Sequence, residues 1–130
     1  QQIDKGNALT SPTAANDYLI SQIGHLDHEV FGCVYLDNRH RLLGFEELFR
    51  GTIDGASIYP REVVKHCLKH QAAAVIFAHN HPSGDCSPSA ADREITRKLV
   101  EALKLIDIRV LDHIIVGDRE CYSFAENGLI

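Results

Sequence analysis

The chain has 130 residues, with 13 Lys and Arg against 18 Asp and Glu, for a formal charge of −5 at pH 7. That length suits one compact domain, and 45% hydrophobic with 24% charged residues is a globular rather than a disordered composition. The mild acidity argues against a general phosphate-gripping surface. The longest apolar run, Ala72 to Ala78, falls far short of the roughly 20 residues a membrane helix needs.

The N-terminus, Gln1-Gln2-Ile3-Asp4-Lys5, carries neither a signal-peptide pattern nor an initiator Met. Residues 1–10 are read as an N-terminal extension within a longer cytoplasmic protein, and residues 11–130 as its domain. Ser11-Pro12 is a helix start, a capping Ser before Pro at the first helical position. The helix is expected to reach about Ile23, with Ala15, Tyr18, Leu19 and Ile23 on one face. Val30 to Leu36 is rich in β-formers and predicts a buried strand. Asp37-Asn38-Arg39-His40 turns the chain into a second strand, about Arg41 to Gly51.

Tyr59-Pro60-Arg61-Glu62 opens a second helix that directs Val63, Val64, Cys67 and Leu68 inward. Ala73 to Ala78 predicts a short strand covered on both faces, and residues 79–88 a loop rich in turn formers. Ser89 starts the longest helix, about residues 90–105, with Ile95, Leu99, Ala102, Leu103 and Ile106 at helical spacing. Arg109 to Val116 predicts a strand, residues 117–120 a turn, and Cys121 to Phe124 a closing strand. The order α-β-β-α-β-α-β-β implies an α/β fold, one mixed sheet with helices packed on it.

The four cysteines show no C-x-x-C pair or zinc-finger spacing and read as reduced thiols. Cys86 stands in a polar loop, where it would be oxidisable. Of the eight histidines, those at 25, 28, 40, 66 and 70 fall in polar or amphipathic surroundings and read as solvated. Those at 79, 81 and 113 flank apolar runs.

His79-Asn80-His81 follows the apolar strand directly. If the strand conformation persists, side chains at i and i+2 project to one side, and two imidazoles stand together at a strand end. The next turn delivers Ser89 and Asp92 on the first turn of a helix. Two His and one carboxylate form a three-ligand zinc set with a fourth position for water, the catalytic rather than the structural arrangement. The helix N-terminus adds positive potential for a developing oxyanion. Ser89-x-x-Asp92 is equally a helix N-cap. His113 reads as a hydrogen-bonded core residue or a substrate contact, and Asp85 as a solvated charge or an outer-shell carboxylate.

The string His79-Asn80-His81-Pro82 through Ser89 and Asp92 resembles the JAMM (MPN+) metalloprotease motif. LFRGTIDGASIYPREVV (48–64), AHNHPSGDCSPSAAD (78–92) and VLDHIIVG (110–117) resemble the RadC family more narrowly, and the likeness runs from Ser11 to Phe124. It implies a JAMM domain of cytidine-deaminase-like architecture, with His79, His81 and Asp92 holding one Zn2+. Asn80 stands where many JAMM proteins have Ser or Thr and is not expected to touch ligation. JAMM enzymes also use a Glu on an upstream strand as general base. The candidates are Glu46 and Glu47. Alternation puts Phe45, Glu47 and Phe49 on one face and Gly44, Glu46 and Leu48 on the other, and distance from Arg50-Gly51-Thr52 favours Glu46. Ser89 would donate to the carbonyl oxygen as it becomes an oxyanion.

The leading expectation is therefore a zinc-dependent hydrolase of amide bonds, metallopeptidase or isopeptidase-like, acting on a protein or peptide by direct attack of metal-bound water. The alternatives are a nucleic-acid protein, from the old association of RadC with DNA repair, and a non-catalytic metal-binding scaffold. The charge lacks a DNA-gripping footprint. A zinc nucleobase deaminase is rejected because H-x-E and P-C-x-x-C are missing.

Overall fold

The computed structural model describes residues 11–51 and 57–130; expectations for residues 1–10 and 52–56 lie outside the described residues. The elements are α1 (Pro12–Ile23), β1 (Val30–Leu36), β2 (Leu42–Arg50), α2 (Pro60–Lys69), β3 (Ala74–Asn80), α3 (Ala90–Lys104), β4 (Arg109–Val116) and β5 (Cys121–Ser123). They form one five-stranded mixed sheet in the order β2-β1-β3-β4-β5. Only β3 and β4 pair in parallel; α3 makes the crossover between them. The other neighbours are antiparallel.

Each face of the sheet closes a separate core. On one side α1 lays Tyr18, Leu19 and Ile23 against Val34, Ile76 and Ile114. On the other, α2 and α3 cover Phe31, Tyr35 and Phe77 with Cys67, Leu99 and Leu103. Covered on both faces, β1 and β3 are buried at every position, which is why both read as continuous apolar runs rather than as alternating ones. Ser11 caps α1, its side chain accepting from the Ala14 amide with Pro12 opening the helix.

Four local expectations are corrected. Strict alternation in β2 fails because Phe31 faces Phe49 while Gly32 already faces Glu47, leaving Leu48 as a bulge. Phe45 and Phe49 therefore part: Phe45 meets Tyr18 edge-on at 6.3 Å on the α1 side, and Phe49 meets Phe31 at 6.2 Å on the other. The Phe45 ring also lies over Gly32, where a Cβ would come within 2.7 Å of it. Leu68 is exposed, because α2 turns only Val63 and Cys67 fully inward. Ile106 lies past the end of α3 and is exposed. Finally, β3 runs through His79 and Asn80, so the loop begins at His81 rather than at His79.

Candidate metal centre

The end of β3 meets residues from two other parts of the chain. His79 is the penultimate residue of β3 and His81 follows its end; their Nε2 atoms lie 2.8 Å apart. Asp92, on the first turn of α3, sets Oδ1 3.5 Å from His79 Nε2 and Oδ2 3.8 Å from His81 Nε2. The three residues proposed as ligands from sequence thus converge. Glu29 joins them: one ligating atom each from Glu29, His79 and His81 lies within 4.8 Å of the other two. This is a site able to hold a metal ion.

Glu29 reaches the site through strand register. Phe31 faces His79 across the antiparallel β1/β3 pair, and Glu29, two residues earlier, projects to the same side by alternation. Asn80 fixes this approach. Its Oδ1 accepts from the Val30 amide at 2.8 Å and its Nδ2 donates to the His28 carbonyl at 2.9 Å, bracketing Glu29. Asn80 is buried and takes no part in the histidine cluster; it ties the strand of the histidines to the segment that carries the carboxylate.

Glu46 is not brought to the histidines. It faces Cys33 on β1, which in turn faces Phe77 on β3, so it stands two strands across and two residues back from His79. Its Oε1 accepts from Tyr35 Oη at 2.9 Å and lies 3.0 Å from His66 Nδ1. Burial pushes the Tyr35 phenol well up, with Cys33 and the Glu46 contact adding to it. His70 stacks on Tyr35 with ring centroids 3.9 Å apart, so neither His66 nor His70 is a simple solvated side chain. Glu47 lies opposite Gly32, towards the α1 side.

Ser89 and Asp92 form a capping box: Ser89 Oγ accepts from the Asp92 amide at 3.0 Å, and Asp92 Oδ2 accepts from the Ser89 amide at 2.8 Å. Capping and closeness to both histidines therefore coexist in Asp92, which is 3% exposed. The cap uses the Ser89 hydroxyl as an acceptor and does not commit its hydrogen. Asp85 contributes through its main chain, since its carbonyl lies 2.6 Å from His81 Nδ1. Its carboxylate instead accepts from the Ser87 amide, which together with the other Ser87 contact lowers its pKa. Of the two readings of Asp85, the carboxylate stays within the loop as a solvated charge, and the main-chain carbonyl is what meets His81.

His113 is completely buried, as expected of a core residue, and is hydrogen-bonded on both nitrogens: Nε2 lies 3.0 Å from His79 Nδ1 and Nδ1 lies 2.6 Å from Thr96 Oγ1. Burial holds His79 down to about 4, reinforced by His81 and opposed by Asp92. It holds His113 well below the usual range too, with both other histidines adding to the effect. Near neutral pH these two rings are uncharged.

The donor chemistry fits a divalent cation. A main-chain carbonyl only accepts, so the Asp85 contact places a hydrogen on His81 Nδ1 and leaves Nε2 as the ring atom that faces His79. A buried carboxylate lies beside it, and His79 brings no compensating charge. Nitrogen lone pairs and carboxylates converging without a positive charge are what a cation such as Zn2+ satisfies.

Two clefts of about 540 and 580 Å3 open beside His81, lined in common by Asp27, Pro82 and Ser83. Glu29 borders the second and Asp118 the first. Among the described residues, no helix is long and apolar enough to cross a membrane.

The protein is thus a single-sheet α/β domain with a histidine–carboxylate cluster at the end of a central strand. The model of the RadC-like JAB domain family matches residues 9–129, and the chain belongs to that family. It is 62% identical over 128 residues to a UPF0758 protein of Nitrosococcus oceani, covering 98% of this chain and 57% of the relative. Similar proteins of the same description occur in Cellvibrio japonicus, at 62% identity over 123 residues (95% of this chain, 55% of the relative), and in Pseudomonas fluorescens, at 56% over 130 residues (100% and 58%). The chain thus spans little more than half the length of these curated relatives.

Glu29 was missed in the sequence because its neighbours in the site are some 50 positions away and only the β1/β3 register joins them. The local signal available was its place two residues before Phe31, at the mouth of a strand. Thr96 gave no signal beyond its helical spacing.

Proposed function

We propose that this domain is a zinc-dependent hydrolase of amide bonds in proteins or peptides, of the JAMM type with cytidine-deaminase-like architecture. The observation that carries the reading is the convergence of His79, His81, Asp92 and Glu29 at one strand end beside open clefts. When bound, zinc supplies a Lewis acid that polarises a carbonyl and acidifies water.

The two carboxylates divide the work by burial. Asp92 is buried and fixed by the Ser89 amide, as suits a ligand. Glu29 is half-buried at a cleft, as suits a base that takes a proton from the attacking water and returns it to the leaving amine. Glu29 thus replaces Glu46 in that role. Ser89, whose hydroxyl hydrogen the cap leaves uncommitted, donates to the oxygen that becomes an oxyanion. The lining of both clefts offers carboxylates and, among the described residues, neither Lys nor Arg. That favours a peptide over a phosphate backbone.

The test is elemental analysis of untagged wild-type protein beside the Asp92→Ala variant, followed by a screen of peptide and isopeptide substrates. About one zinc per chain, lost in the variant, with hydrolysis by the wild type is the expected result. A wild type that takes up no zinc after reconstitution would turn the assignment towards a non-catalytic scaffold.

A further inference from the structure

The buried polar chain behind His79 has a direction, and that direction can be derived from the chemistry of its members. Thr96 Oγ1 has one hydrogen and two close partners, the Asp92 main-chain oxygen at 2.7 Å and His113 Nδ1 at 2.6 Å. The carbonyl has no hydrogen to give, so it takes the one from Thr96. Thr96 must then accept from His113, which puts the hydrogen of that neutral ring on Nδ1. His113 Nε2 is left as a lone pair 3.0 Å from His79 Nδ1, and His79 must donate to it. The hydrogen of His79 is thereby held on Nδ1, and its Nε2 lone pair is turned towards His81 and Asp92.

Water cannot supply a competing arrangement easily. His79 is 1% exposed, Thr96 2%, His113 0% and Asp92 3%. Packing alone does not account for a histidine at position 113. Its ring is stacked on Phe124 at 4.6 Å and edge-on to Phe31 at 5.6 Å and Phe77 at 6.4 Å, surroundings that would suit another phenylalanine. Two nitrogens are instead carried into that aromatic box, and each has a partner. A misplaced proton would be costly here, because an unpaired buried polar group loses its hydration without replacement.

We propose that His113 and Thr96 are positioning residues that lock the Nδ1–H tautomer of His79 and so present its Nε2 lone pair to the metal. The chain begins at the main-chain oxygen of Asp92 and ends on the ring of His79, linking two of the three ligands through β4 and α3. His81 has the shorter version of the same device, a direct contact to the Asp85 carbonyl. The proposal rests on the reading of His79 as a ligand. Outer partners of this kind commonly change metal affinity by 10- to 100-fold when removed.

The experiment uses the whole chain and two readouts. Long-range proton–nitrogen NMR of metal-free protein reads the tautomer of His79, and competition with a chromogenic chelator reads zinc affinity. His113→Phe keeps an aromatic ring and removes the acceptor; His113→Gln restores a carbonyl acceptor; Thr96→Val keeps the shape and removes the hydroxyl, and serves if the position-113 variants fail to fold. The expected result is an Nδ1–H tautomer for His79 in the wild type, loss of that preference in His113→Phe and Thr96→Val, and zinc binding weakened about 10- to 100-fold in both. His113→Gln should recover the tautomer and most of the affinity. Wild-type affinity together with an unchanged His79 tautomer in His113→Phe or Thr96→Val would overturn the proposal. If His79→Ala binds zinc as the wild type does, the ligand reading falls; the tautomer spectra still decide separately whether the lock exists.

Discussion

Two carboxylate–histidine clusters share one face of the sheet, and they are built to opposite ends. In the first, Glu46 accepts from the Tyr35 hydroxyl and lies against His66, while His70 stacks on the Tyr35 ring. In the second, Glu29 and Asp92 meet His79 and His81, whose outer nitrogens are already engaged with His113 and the Asp85 carbonyl. The Glu46 oxygen has a donor within its own cluster. The histidine pair turns its Nε2 atoms to a common point beside Asp92, and among the described residues lining the adjoining clefts there is no Lys or Arg. The same residue types thus give a self-contained brace in one place and a site able to hold a cation in the other. What separates them is where each remaining hydrogen is committed.

The largest difference between the two clusters is expected at Asp92. Asp92→Ala should abolish stoichiometric zinc binding, and losing half of a capping box should also cost about 1 kcal/mol of stability. Elemental analysis with thermal denaturation checks both; zinc retained at one per chain would contradict the ligand role.

Exchanging the two glutamates comes next. Glu29→Gln should keep zinc while lowering hydrolysis of any substrate found by about 10²- to 10⁴-fold, the usual range for a general base. Glu46→Gln should leave the rate within a few-fold of wild type. The reverse ranking would return the base to β2.

Asn80→Ala removes both contacts that bracket Glu29 and leaves the Val30 amide without its acceptor. A loss of about 1–3 kcal/mol is expected for that buried group. Turnover should fall while zinc remains bound, because the ligands themselves are untouched. Denaturant unfolding and zinc analysis on one preparation distinguish this from a general collapse of the site.

The smallest effect belongs to the brace. Tyr35→Phe removes the hydroxyl that donates to Glu46 and should cost about 1 kcal/mol, with zinc affinity unchanged. A change in zinc affinity would mean that the two clusters communicate across β1.

The elements of the fold were legible along the chain because each carries its own periodicity or punctuation. Ser11-Pro12 starts α1, and Ser89 with Asp92 starts α3 as a full capping box. The unbroken apolar runs at β1 and β3 announce strands covered on both faces. The convergence of His79, His81 and Asp92 was legible for a similar reason: a strand, a turn and a helix start leave little freedom in where they meet.

The remaining features depend on contacts that local spacing cannot express. A one-residue bulge at Leu48 moves every later side chain of β2 to the other face, so alternation in the sequence misassigned Phe45 relative to Phe49. Glu29 reaches the histidines only through the register that sets Phe31 against His79, and Glu46 is held opposite Cys33 by the separate β1/β2 register. Thr96 and His113 become partners only where α3 crosses over β4. Local sequence was enough for the elements and for the three residues that converge at the end of β3. Which carboxylate joins them, and which partners the buried ring nitrogens find, follow instead from donor and acceptor atoms brought together by strands and helices far apart in the chain.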